Sequence, residues 1–83
     1  MKSLLLLTLA TASLFAFIDI NHDNVKELQK LHGIGFKKAQ LIVEYRKSHG
    51  CFENIETLAN VKGISIKTVE KNKSSLEAKA CIK

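Results

Sequence analysis

Leu31-His32-Gly33-Ile34-Gly35-Phe36-Lys37-Lys38-Ala39 decides the fold, because two glycines enclose one isoleucine between stretches patterned as helices. Before it Val25, Leu28 and Leu31 recur at spacing three, and after it Ala39, Ile42 and Val43 form a second apolar stripe. At the end of the first helix Gly33 can take positive φ without a Cβ penalty, which reverses the chain at once. Ile34 then tucks back between the helices, and Gly35 opens the next helix without a side chain. The backbone N–H groups of Gly35, Phe36 and Lys37 are left pointing outward at the positive end of a helix dipole, which makes a phosphate site. Lys37 and Lys38 add mobile positive charge beside it.

Working outward, the chain repeats itself at a constant offset. Asn24-Val25 aligns with Asn54-Ile55, Leu28 with Leu58, Leu31 with Val61, Gly33-Ile34-Gly35 with Gly63-Ile64-Ser65, and Lys37 with Lys67. A lone Gly-x-Gly reads as a plain helix stop and start. Duplication at constant spacing, with a lysine two residues after each turn, favours the phosphate site. Ser65 is less permissive than glycine, and its hydroxyl has two uses open to it, capping the fourth helix or donating to a phosphate.

Each unit predicts helix, tight turn, helix. Asn24 caps the first helix, with Glu27 in capping-box position. The second runs from about Phe36 to Ser48, burying Ala39, Ile42 and Val43 while Lys37, Lys38, Glu44 and Lys47 stay wet, and ends at His49-Gly50. Asn54 caps a short third helix through Ile55, Leu58 and Val61, and the fourth runs from about Ile66 past Val69 towards Leu76. Phe17 to Asp23 forms an extended lead-in. Neither unit can bury its single stripe alone, so the two must pair. The expected fold is all-α, a globule of four to five short helices with pseudo-twofold symmetry.

The pattern Leu28-x-x-Leu31-x-Gly33-Ile34-Gly35-x-Lys37-x-Ala39-x-x-Ile42-Val43 resembles the helix-hairpin-helix motif. The stretch from Ile18 to the fourth helix looks like the DNA-binding domain of the ComEA competence family. That resemblance implies a tandem helix-hairpin-helix domain of the SAM/HhH-like class that binds double-stranded DNA without sequence preference and helps draw transforming DNA across the envelope. It implies phosphate contact at Gly33, Ile34, Gly35 and Lys37, and in the second unit at Gly63, Ile64, Ser65 and Lys67. Further uptake-machinery proteins are expected partners. His32, Phe36 and Cys51 stand where such motifs commonly have proline, and the 83-residue chain has none.

Met1-Lys2-Ser3 precedes an apolar run from Leu4 to Phe17, too short to span a bilayer and patterned as a cleavable export signal over residues 1–16. Cleavage after Ala12 and an uncleaved anchor are the alternatives. Removing Lys2 with the signal leaves the stretch 17–83, in which 12 lysines and arginines (13 less Lys2) face 8 acidic residues, a net charge of +4. An excess of positive charge suits polyanions, or solubility alone. The expected destination is the periplasm, with no stable membrane insertion after cleavage.

Cys51 and Cys81 would there meet oxidising conditions, so one disulfide is expected, with free thiols and an intermolecular bridge as alternatives. Two cysteines and His49 do not complete a tetrahedral metal set, and no cofactor is called for. Tyr45 and Phe52 read as core packing. Lys71, Lys73, Lys79 and Lys83 read as a solvated basic tail or a second contact surface, and Arg46 and Lys47 as complements to the helix dipole. No nucleophile with a base and no carboxylate cluster suggests catalysis, so no enzyme is expected. The rival reading is an exported structural or protein-interaction module that keeps the fold without DNA.

Overall fold

The computed structural model of the protein describes residues 17–81; the expected export signal, Lys83 and the cleavage sites lie outside the described residues. Within that span the elements are strand β1 (Ile18–Asp19), helix α1 (Val25–Leu28), helix α2 (Phe36–His49), a 3-10 helix (Ile55–Asn60), helix α3 (Ile66–Lys71), a 3-10 turn (Lys73–Ser75) and strand β2 (Leu76–Glu77). The fold is helical, with five short helical segments in the order the repeat requires.

Local chemistry explains most boundaries. Asn24 Oδ1 accepts the Glu27 N–H at 2.9 Å, and Asn54 Oδ1 accepts the Thr57 N–H at 3.1 Å, so both units start on the same cap. The capping box does not close, because the Glu27 carboxylate turns to Lys30 Nζ at 3.1 Å. Gly33 and Gly63 have φ of +78° and +87°, the left-handed conformation that ends a helix abruptly. Gly50, at φ +92°, ends α2.

The two halves pack as a pseudo-symmetric pair. Leu28 and Leu58, Leu31 and Val61, Ile34 and Ile64, and Ala39 and Val69 are buried in corresponding pairs and form one core with Ile18, Ile20, Ile42, Phe52 and Leu76. A methyl group built on Gly33 would stand 3.8 Å from Thr68 Cγ2, and one built on Gly63 3.6 Å from Lys38 Cε. Positions 38 and 68 are themselves equivalent in the repeat, so each hairpin rests against the first turn of the other unit's second helix. Val43, expected in the core, is only partly buried at its margin.

Three further features depart from the sequence reading. The fourth helix stops at Lys71 instead of continuing towards Leu76. Asn72 stands where the first unit has Ile42, and its side chain turns inward to accept the His32 N–H at 2.7 Å and donate to the His32 carbonyl at 3.0 Å and the Thr68 carbonyl at 2.8 Å. Next, the lead-in is paired as well as extended: β1 lies parallel to β2 with Ile18 opposite Leu76 and Asp19 opposite Glu77. Buried Asn21 secures that junction, its amide donating to the Phe52 and Lys79 carbonyls at 3.0 and 2.8 Å and accepting the Phe52 N–H at 2.7 Å.

Lastly, Arg46, basic in the last turn of α2 as the sequence places it, also holds the lead-in. Its guanidinium donates to the Ile20 carbonyl at 2.9 Å and faces Asp19 and Asp23. Partial burial lowers its pKa, and the two carboxylates counter that shift. Asp19 is buried, which raises its pKa, but hydrogen bonds from the Asn21 N–H, His22 and the Lys79 N–H outweigh burial and hold the carboxyl below its ordinary value. Phe52 is buried and Tyr45 partly so, and the two rings stack at a centroid separation of 5.1 Å.

Candidate nucleic-acid interface

The hairpin at Gly33-Ile34-Gly35 is built outward from Ile34, whose buried side chain anchors the turn in the core. Only its backbone is available to a ligand, and the same is true of Ile64. Gly35 is the N-cap of α2, with φ −92° and ψ −166°, and supplies no capping side chain. The N–H groups of Phe36, Lys37 and Lys38 accordingly find no acceptor among the described residues. Three orphan donors at the start of a 14-residue helix are a ready anion site.

At Gly63-Ile64-Ser65 the backbone path is the same and the chemistry differs. Ser65 has φ −98° and ψ 166°, and its Oγ accepts the Thr68 N–H at 3.3 Å. One of the three donors is therefore satisfied internally, and α3 is only 6 residues long. Of the two uses the sequence leaves open for Ser65, capping is observed, and it leaves the hydroxyl proton free to donate.

Packing redistributes the lysines between the hairpins. Lys38, which follows the first hairpin in sequence, leans its stem on Gly63 of the second, where Lys37, Leu41 and Lys62 line the same groove. Reciprocally, Thr68 and Lys71 line a shallow groove with His32 and Gly33. Lys67 is exposed on the first turn of α3. Lys62 is missing from the set the sequence suggests, and Lys71 is there assigned to the tail. The repeat itself holds the signal for Lys62, which precedes its turn glycine as His32 does; nothing local signals Lys71. Lys79, by contrast, reaches towards Glu77 at 3.8 Å, away from both hairpins in sequence and contacts.

Cys51 and Cys81 are joined as a disulfide, with Cα atoms 6.3 Å apart. No group of three or more His, Cys, Asp or Glu side chains able to hold a metal occurs among the described residues, and no helix there is long and apolar enough to cross a membrane.

This arrangement has relatives. A family model described as the helix-hairpin-helix motif matches residues 15–77. An uncharacterized protein of Haemophilus influenzae is 48% identical over 60 residues, covering 71% of this chain and 54% of the relative. ComE operon protein 1 of Bacillus subtilis is 42% identical over 64 residues, covering 77% of this chain and 31% of that protein. Kinesin-like protein KIF22 of Xenopus tropicalis is 50% identical over 50 residues, 60% of this chain but 8% of its own length. The chain thus spans about half of the first relative and less of the others. With the duplicated hairpins and the matched span in agreement, the chain belongs to the helix-hairpin-helix family, as a ComEA-like member.

Proposed function

We propose that this protein binds double-stranded DNA without regard to sequence and serves DNA uptake in natural transformation from the periplasm, reached by a signal cleaved after Ala16. The observation that carries this reading is the run of orphan amides at Phe36, Lys37 and Lys38, framed by the lysines that packing gathers around both hairpins. Amides and ammonium groups recognise phosphate oxygens, which every base pair presents alike, so such a surface positions a duplex without reading it. Likeness to ComE operon protein 1 supports the place in competence. Gly33, Ile34 and Gly35 contribute backbone, and Lys37 and Lys38 charge. Gly63, Ile64, Ser65 and Lys67 form the lesser contact and complete the fold. Binding is the whole activity, with no catalytic step.

Fluorescence anisotropy with two unrelated duplexes of equal length, titrated across a salt series, tests the reading. Affinities should be equal and fall together, each neutralised phosphate adding about 0.9 to the log–log slope. K37E/K38E should weaken binding far more than K79E. No binding at low salt, or a marked preference between duplexes, overturns the proposal. For export, the intact mass of the secreted protein should lack residues 1–16, whereas a full-length mass overturns that part.

A further inference from the structure

Two large apolar side chains of the duplicated units remain exposed, Phe36 by 57% and Ile66 by 50%. They are equivalent in the repeat and occupy the same place, the first helical residue after each hairpin. A single exposed apolar residue needs no explanation. The same exposure at the same position of both halves does, because the neighbouring apolar positions of the repeat are buried pair by pair.

The surroundings narrow what could cover them. Phe36 is followed by Lys37 and Lys38 and Ile66 by Lys67, with Lys62 and Lys71 beside the hairpins. Each apolar side chain is thus followed directly by exposed cations, a pairing that suits a polyanion with apolar surface between its charges. A nucleic acid presents the complementary pattern, phosphates spaced by the C–H surface of sugars. The close approach of Gly33 to Thr68 and of Gly63 to Lys38 also sets each hairpin beside the first turn of the other unit's second helix.

We propose that Phe36 and Ile66 are paired apolar contacts to DNA, each lying against the deoxyribose beside the phosphate its hairpin faces. This rests on the DNA reading above and adds to it a part of the affinity that is not electrostatic.

Salt separates the two contributions, since losing a phosphate contact changes the slope and losing an apolar one does not. The variant F36S/I66S, titrated with one duplex across the salt series, should bind about tenfold more weakly at every salt concentration. Its slope and thermal midpoint should match the unaltered protein, and F36L/I66L should retain most of the affinity. If the double variant fails to fold, F36S and I66S singly should each cost about threefold. Affinity within about twofold of the unaltered protein, or a loss accompanied by a shallower slope, overturns the proposal and leaves the DNA reading intact. So does concentration-dependent self-association of the DNA-free protein that the substitutions abolish, for the pair would then serve a second copy. Absence of any binding by the unaltered protein overturns both.

Discussion

At Gly35 and Ser65 the backbone is nearly the same and only the side chain differs, with φ of −92° and −98°. Neither position needs glycine's freedom, and a Cβ on Gly35 would meet nothing within 4 Å. Read from sequence, Ser65 looks like a loss of flexibility; in the fold it is the consumption of one amide. G35S should therefore separate two properties. It should raise stability by about 0.3 kcal/mol by capping the Lys38 N–H, while weakening DNA binding by occupying that donor. G33A should do the reverse in stability, costing about 1–2 kcal/mol because Ala disfavours φ +78°. Thermal melts and anisotropy on both variants check this, and a G35S protein that binds DNA as well as the original contradicts the amide site. The turn glycines were legible because φ > 0 has few solutions in sequence. Asn72 was not, because an asparagine at a position whose repeat partner is Ile42 carries no mark of the carbonyl and N–H of distant His32 that it reaches.

Among the elements, the two ends of the described chain hold each other. Strand β1 pairs with β2, Asp19 accepts the Lys79 N–H at 3.2 Å, and Arg46 of α2 donates to the Ile20 carbonyl behind them. Because Asp19 titrates below its ordinary 3.8 in the fold, its stabilising contribution is complete above the unfolded value and disappears as pH falls through the folded one. Unfolding should ease below about pH 4. D19N should lower stability at neutral pH and flatten that acid dependence, as followed by denaturant titrations at stepped pH. An unchanged acid profile would remove Asp19 from this role. Sequence periodicity identified the helices that carry the hairpins, since their stripes repeat every three or four residues. It passed over the very short β1 and β2, each of which pairs with a partner at the other end of the domain.

For the molecule as a whole, stability depends on closing a small core, and the Cys51–Cys81 bridge ties the inter-unit connector to the tail across a sequence separation of 30. Constraint of that loop in the unfolded chain is worth on the order of 3 kcal/mol. Reductant or C51S/C81S should lower the thermal midpoint accordingly and speed amide exchange at Ile20, which donates to the Glu77 carbonyl. Identical melts with and without reductant would show that the bridge contributes nothing. The amino-acid sequence by itself determined the duplicated unit, its left-handed glycine turns, the asparagine caps and the pairing of two stripes, because each follows from spacing or from a residue's own conformational range. Only the tertiary structure decided that Lys38 leans on the opposite hairpin, that Lys62 and Lys71 line grooves beside the hairpins, that Arg46 turns to the lead-in, and that Phe36 and Ile66 stay uncovered together. Those outcomes depend on how two apolar faces dock, and contacts across a pseudo-twofold axis leave no period along the chain.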